Sequence, residues 1–137
     1  MNNSPVSLLD KHPPDQPILA LDGQDWKRLI HGAVYWLERH HAAANRLNVF
    51  PVPDGDTGTN MLLTLRKAWE EIGALHDDGI GPIAGKVAHG ALMGARGNSG
   101  VILSQILRGM ARAWDGKAQC DATTMVAAWQ EGTDAAY

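Results

Sequence analysis

The segment "NVFPVPDGDTGTNM", residues Asn48–Met61, separates two stretches of helical pattern and carries two carboxylates two positions apart. Pro51 and Pro53 disfavour helix at the residues before them, so we expect the chain to approach Asp54 in an extended conformation and to turn at Gly55. Beyond this loop, apolar side chains recur every three or four residues, which is typical of an amphipathic helix. They are Met61, Leu62, Leu65, Ala68, Trp69 and Ile72.

Helical patterns continue on both sides of this segment. The range Gly23–Asn45 carries one apolar stripe, Pro82 suits the first turn of a third helix, and Asp121 suits the N-cap of a fifth. A fourth helix follows the glycine-rich loop "GARGNSG", residues Gly94–Gly100. The sequence shows no alternating strand pattern, so it predicts an all-α fold, a bundle of amphipathic helices joined mostly by short loops. The predicted N-caps of the second and fourth helices are Thr57 or Thr59 and Asn98 or Ser99.

The composition indicates one folded domain. The 137 residues are 45% hydrophobic and 20% charged, which suits a single core of ordinary size. We expect a loose, proline-containing arm over residues 1–21 and a helical domain over residues 22–137. A formal charge of -3 gives no electrostatic footprint for nucleic acid, and no apolar run is long enough for a membrane span. One cysteine, Cys120, and an N-terminus unlike a secretory signal lead us to expect a cytoplasmic protein.

Asp54 and Asp56 need a positive partner, because two ionised carboxylates this close together repel each other. The nearest basic residues in the sequence are Arg46 and Arg66, and neither is adjacent. A bound divalent cation would meet this need. Carboxylate oxygens suit Mg²⁺, which completes its coordination shell with water and phosphate. The backbone N–H groups of the range Thr57–Asn60 open the next helix, where phosphate is favoured.

The acidic segment has two competing interpretations. A D-G-D-T-G run is often only a turn followed by a helix cap, and these five residues alone leave that possibility open. A calcium-binding EF-hand loop requires Asp or Asn, Gly and Glu at its fifth, sixth and twelfth positions. Counted from Asp54, those positions hold Gly58, Thr59 and Leu65, so this alternative fails.

The loop "GARGNSG" is a second candidate binding segment. Gly97 and Gly100 allow the backbone to approach a ligand closely, and a helix N-terminus follows. The loop is not a P-loop, because no G-K-[ST] occurs, and not a dinucleotide-binding fingerprint, because no strand precedes it. Two glycine loops that each open a helix predict one shared mouth at one end of the bundle, with metal on one loop and phosphate on the other.

Two long motifs, "LNVFPVPDGDTGTNM" and "MGARGNSGVILSQILRG", closely resemble the N-terminal nucleotide-binding domain of bacterial fatty acid kinase. That domain is similar in turn to the L subunit of dihydroxyacetone kinase. The resemblance covers roughly Trp26 to Tyr137 and implies a helical barrel that binds ATP or ADP through two Mg²⁺ ions. Because the family's domain continues for further helices, the resemblance implies an incomplete barrel whose C-terminal part is absent. We therefore expect self-association through surfaces that the missing helices leave bare.

The resemblance also implies roles for individual residues. Asp54 and Asp56 match the metal-binding acids of the DGD motif and are the expected catalytic residues. Near the place where the dihydroxyacetone kinase pattern has a third aspartate, this sequence has Asn48. Either its neutral oxygen is the third metal ligand, or that ligand comes from elsewhere. The residues expected to meet nucleotide phosphate and metal are Thr57, Gly58, Thr59, Asn60, Gly97, Asn98 and Ser99.

The function that the resemblance implies is phosphoryl transfer from ATP to the carboxylate of a fatty acid, which gives an acyl phosphate. A separate DegV-type fatty acid-binding protein would present the acceptor, consistent with a sequence that shows no obvious general base. The alternative is a non-catalytic helical module that keeps the motif as a fold relic, for nucleotide sensing or for interaction with another protein. All five tryptophans follow helical stripes and are expected in the core: Trp26, Trp36, Trp69, Trp114 and Trp129.

Overall fold

A computed structural model describes residues 11–49 and 52–137 of the chain. Across these two ranges the only β-type pairing is an isolated antiparallel bridge between Leu21 and Cys120, and the predicted all-α class is confirmed. None of the helices in the described ranges combines the length and the apolar character needed to cross a membrane. The helices are α1 (Gly23–Arg46), α2 (Thr57–Ile72), α3 (Ile80–Gly94), α4 (Gly97–Ala113) and α5 (Ala122–Ala136).

Local hydrogen bonds set the starts of α1 and α5. The Asp22 carboxylate accepts a hydrogen bond from the backbone N–H of Asp25, whose own carboxylate accepts one from the N–H of Asp22. Asp121 and Thr124 form the same reciprocal arrangement at α5, which confirms Asp121 as the N-cap. Each pair satisfies two backbone donors that would otherwise lack partners at a helix start. The hydrogen bonds from Thr124 hold the pKa of Asp121 below its ordinary value.

The helices α1 to α4 run alternately up and down, and α5 folds back along α4. Apolar side chains from every helix form one continuous core. Trp26 and Trp114 meet edge to face inside this core, with ring centroids 4.9 Å apart. This topology places the C-terminal ends of α1 and α3 beside the N-terminal ends of α2 and α4. Both glycine loops therefore lie at the same end of the bundle.

The prediction that all the tryptophans lie in the core is wrong for two of them. Trp26 and Trp114 are buried, but Trp36 and Trp129 are 63% and 55% exposed. Trp36 contacts His40 on the surface of α1, with ring centroids 4.2 Å apart. Trp129 lies on α5, which among the described helices contacts only α4. Helical spacing identifies an apolar stripe but does not reveal whether a neighbouring helix covers it.

Residues 1–10 of the predicted loose arm lie outside the described residues. Further along the arm, the ammonium group of Lys11 lies 3.2 Å from the carboxylate of Asp25, which is 1% exposed. At the end of the arm, Leu21 exchanges two backbone hydrogen bonds of 2.8 Å with Cys120. The described part of the arm therefore contacts the first turn of α1 and the segment before α5.

Candidate functional site

The two glycine loops meet at one end of the bundle and line a common cavity of about 210 Å³. The predicted shared mouth is therefore present in the fold. The lining comes from the segment after α1, the acidic loop, the start of α2 and the start of α4. The residues are Asn48, Asp54, Asp56, Thr57, Asn60, Gly97, Asn98 and Ser99. The structure brings these residues together, and their binding roles stay predictions.

Asp54 and Asp56 lie at the open edge of this cavity. Both are exposed, and Gly55 between them has a φ of 66°, a conformation that residues with a side chain rarely adopt. The chain therefore turns at Gly55, as the sequence predicts, and both carboxylates line the cavity. Within the described part of the chain, neither carboxylate forms an ion pair with a basic side chain. Their charge is thus available to a ligand.

Asn48 holds the acidic loop through the loop backbone. Its side-chain oxygen accepts hydrogen bonds from the N–H groups of Asp56, at 3.1 Å, and of Thr57, at 3.3 Å. The atom expected to reach a metal ion therefore already contacts two backbone donors. The structure assigns Asn48 a supporting position beside the acids, while its role as third metal ligand stays a prediction. Pro51, predicted to stiffen this loop, lies outside the described residues.

The predicted N-caps of α2 are wrong. The helix begins at Thr57, its N-cap residue is Asp56, and the Asp56 side chain makes no capping hydrogen bond. The acceptors come instead from Asn45 in the last turn of α1 and from Asn48 just after that helix. The side-chain oxygen of Asn48 accepts from the N–H groups of Asp56 and Thr57, and that of Asn45 accepts from the N–H of Thr59 at 3.0 Å. Because asparagine amides take over capping, the Asp56 carboxylate remains free for another partner.

Asn45 is a supporting residue that sequence reasoning missed. Besides accepting from the Thr59 backbone, its amide donates to the Thr59 hydroxyl at 2.9 Å. Gly58 adds a close contact to the same pair of helices, because a Cβ there would collide with the carbonyl oxygen of His41. Gly58 and Thr59, two of the predicted cofactor-binding residues, thus pack against α1, and neither lines the cavity.

The second loop directs the N-terminus of α4 toward the cavity. This helix begins at Gly97 with Arg96 as its N-cap residue, so the predicted caps Asn98 and Ser99 are wrong. The Ser99 hydroxyl donates instead to the carbonyl oxygen of the first residue of α2, at 3.0 Å. Gly97 has a φ of 63°, and a Cβ there would collide with the amide of Asn60. The backbone conformation therefore favours glycine, and the Asn60 amide packs directly against this position.

The oxygen ligands at the cavity are too few to enclose a metal ion with protein atoms alone. They suit Mg²⁺ that is also coordinated by phosphate and water. Across residues 11–49 and 52–137, no three His, Cys, Asp or Glu side chains cluster in a metal-binding arrangement. Mg²⁺ usually takes one or two carboxylates and fills its octahedral shell with water and substrate phosphates. The N-termini of α2 and α4 favour such phosphates in the same cavity.

A larger cavity of about 430 Å³ lies at the opposite end of the bundle, beside the start of α1. Its lining includes Asp22 and Lys11, which form an ion pair at 2.8 Å. Burial acts to raise the pKa of Asp22, but the hydrogen bonds from Lys11 and Asp25 outweigh it and hold the pKa below its ordinary value. Since the charge of Asp22 is already matched, this cavity is a weaker candidate for cation binding despite its size.

The fold and the cavity define a helical domain in which an acidic loop and a glycine turn face one ligand-sized space. Residues 51–137, more than half of the chain, match the DAK2 domain family. The chain belongs to this family and carries a dihydroxyacetone kinase-like nucleotide-binding domain. The family resemblance predicted from the two motifs is confirmed at this level.

Relatives of known sequence extend the match beyond the family segment. The chain is 44% identical over 120 residues to protein YloV of Bacillus subtilis (strain 168). It is 39% identical over 120 residues to uncharacterized proteins of Staphylococcus haemolyticus and of Staphylococcus saprophyticus. Each match covers 88% of this chain and 22% of the relative. The chain therefore spans less than a quarter of the length of these curated relatives.

Proposed function

We propose that this chain is the Mg²⁺- and ATP/ADP-binding part of a phosphotransferase resembling fatty acid kinase. The supporting observation is that two carboxylates without basic partners in the described part of the chain share one cavity with two helix N-termini. Asp54 and Asp56 would hold the metal, as two ions by analogy with the resembled kinase, and the N–H groups of α2 and α4 would hold the phosphates.

Phosphoryl transfer needs positioning and charge neutralisation more than covalent help from a protein. Mg²⁺, when bound, supplies positive charge that offsets the negative charge of the phosphates. The chain contributes rigidity: Asn48 holds the end of the acidic loop and Asn45 holds the first turn of α2 through the backbone, so the carboxylates keep their places as a ligand enters. Gly97 has no side chain, so the N–H groups of α4 can approach phosphate oxygens closely.

The acceptor that we propose is the carboxylate of a fatty acid presented by a DegV-type fatty acid-binding protein. An ionised carboxylate attacks without losing a proton, whereas an alcohol requires a general base. The described cavity lining includes no His, Lys or Tyr, and we assign its two aspartates to the metal, so a carboxylate acceptor is consistent with the site. In the proposed step a carboxylate oxygen bonds to the γ-phosphorus, the bond from that phosphorus to the bridging oxygen breaks, and acyl phosphate and ADP form.

Isothermal titration with ADP and Mg²⁺ tests the binding part of this proposal. The native chain should bind, and Asp54→Asn/Asp56→Asn should not, because the double change keeps side-chain size and removes both negative charges. Asp77→Asn/Asp78→Asn is the matched control, since it removes the same charge near the opposite end of the bundle and should leave binding unchanged. A native chain that fails to bind, or a site variant that binds equally well, would contradict the proposal.

Transfer is tested separately from binding. The protein is mixed with ATP, Mg²⁺ and a fatty acid-loaded DegV-type protein, and acyl phosphate is trapped with hydroxylamine as a hydroxamate. Hydroxamate formation that requires both proteins supports the proposed reaction. ADP binding without hydroxamate would instead support the alternative, a non-catalytic nucleotide-sensing or interaction module.

We also propose that copies of the chain associate through the apolar surface of α4 and α5. Because α5 contacts only α4 among the described helices, no other described helix covers the outer side of α5. Burial of such apolar surface favours association. Sedimentation velocity should show a dimer for the native chain and a monomer for Trp129→Glu; a monomeric native chain would refute this. The exposed apolar side chains, 49% to 70% accessible, are Val101, Ile102, Val126 and Trp129.

A further inference from the structure

Thr64 lies in α2 directly below the cavity and is fully buried, at 0% exposure. Its hydroxyl donates to the carbonyl oxygen of Asn60 at 2.7 Å and accepts from the backbone N–H of Arg96 at 3.3 Å. Asn60 lines the cavity, and Arg96 directly precedes Gly97, which also lines it. One buried hydroxyl thus connects α2 to the turn between α3 and α4.

The two hydrogen bonds of this hydroxyl work together. Threonine within a helix often donates to the carbonyl four residues earlier, and that bond by itself does not stabilise the helix. It does point the hydroxyl hydrogen toward Asn60, which leaves the oxygen lone pairs of Thr64 available to the N–H of Arg96. Because Arg96 is the N-cap residue of α4, this contact fixes the point at which α4 begins.

The turn lies directly against Thr64. Gly100, in the first turn of α4, is buried, and a Cβ there would collide with the Thr64 hydroxyl oxygen. The hydrogen bond of 3.0 Å from the Ser99 hydroxyl to the carbonyl of Thr57 joins the same two helices one turn away. The start of α4 is therefore held against α2 at two points, and only one of them, Thr64, lies outside the cavity lining.

We propose that the Thr64 hydroxyl positions the start of α4 so that one ligand reaches both the acidic loop and the glycine turn. This inference rests on the proposed function, and Thr64 acts through Arg96 and Gly97 without touching the nucleotide. If the hydroxyl is lost, the N–H of Arg96 loses its acceptor and the turn occupies its binding position less often. The apparent affinity is proportional to the fraction of molecules in which the turn is in its binding position. If that fraction falls to about one tenth, the dissociation constant rises about tenfold.

Two substitutions separate the hydroxyl of Thr64 from its shape. Thr64→Val keeps the volume and removes the hydroxyl, whereas Thr64→Ser keeps the hydroxyl and removes a buried methyl group. In titrations with ADP and Mg²⁺, the valine variant should bind about tenfold more weakly than the native chain and the serine variant nearly as well. Since both changes disturb the core, both variants should melt below the native chain. If the affinities of the two variants fall in proportion to their melting temperatures, whether or not the hydroxyl is present, the proposal is overturned.

Hydrogen exchange at the Arg96 amide gives a readout that does not involve the nucleotide. This amide should exchange faster in Thr64→Val than in the native chain, and Thr64→Ser should restore its protection. If the native chain binds Mg·ADP and Thr64→Val binds equally well, the positioning role is refuted and the proposed function stands. If the native chain does not bind Mg·ADP, the proposed function itself fails.

Discussion

Gly90 in α3 provides a sharp test of how closely α2 and α3 are packed. A Cβ at this position would lie 2.6 Å from Cγ of Glu71, 2.7 Å from the carbonyl oxygen of Lys67 and 2.8 Å from Cα of Ala68. Two of these three atoms belong to the backbone of α2 and move only if the helix moves. Gly85 lies on the same helix, yet a Cβ there would have no atom within 4 Å.

The same substitution should therefore have opposite effects at these two positions. Alanine in place of glycine inside a helix stabilises by about 0.5–1 kcal/mol where space is free, so Gly85→Ala should raise the free energy of unfolding by that amount. Gly90→Ala gains the same amount but must push α3 away from α2. Overpacking costs about 1–3 kcal/mol, and contact with backbone belongs at the upper end. We expect a net loss of about 2 kcal/mol for Gly90→Ala.

Urea denaturation measures both variants, because Trp26 and Trp114 are buried and their fluorescence reports unfolding. The transition midpoints should move in opposite directions from that of the native chain. If Gly90→Ala is as stable as Gly85→Ala, the inferred contact between α2 and α3 is refuted.

Two further predictions concern the support of the first turn of α2 and the response to pH. Asn45→Ala removes both hydrogen bonds to Thr59. It should lower the free energy of unfolding measured in urea by about 1–3 kcal/mol and weaken Mg·ADP binding in titration. Unchanged affinity would count against the supporting role of Asn45. Burial lowers the pKa of His31, which stacks on Trp69 with ring centroids 4.1 Å apart. Because the unfolded chain binds this proton from about pH 6.5 downward and the folded chain only at lower pH, stability should fall as the pH drops below about 6.5. His31→Phe should make urea denaturation less dependent on pH between about pH 5 and 7, and an equal dependence would contradict this.

The starts of α3 and α5 were predictable because they depend on residues close in sequence, whereas the predicted caps of α2 and α4 are wrong. Asp121 as the N-cap of α5 and Pro82 in the first turn of α3 occur as predicted. Whether a neighbouring helix packs on a given apolar stripe was not predictable in this way. Trp129 follows an apolar stripe like Trp114, but only Trp114 has helices packed around it.

The cavity lining was predictable from two glycine motifs, whereas its supports were not. Asn45 acts on a backbone group 14 positions away, and Thr64 acts on one 32 positions away. No local pattern marks such pairs, because the fold alone brings them together. The predicted caps of α2 are wrong for the same reason: the side chains that accept its first N–H groups are Asn45 in the last turn of α1 and Asn48 just after that helix.

In the proposed site, Asp54 and Asp56 hold a divalent metal against phosphate bound at the start of α4. Mn²⁺ shares the preference of Mg²⁺ for carboxylate oxygens and broadens nearby amide signals in NMR spectra. With ADP present and Mn²⁺ below equimolar amounts, we expect the amide signals of the acidic loop and of Gly97–Ser99 to broaden first, while that of Gln119 at the opposite end stays sharp. Broadening centred on Asp22, or spread evenly over the chain, would contradict it.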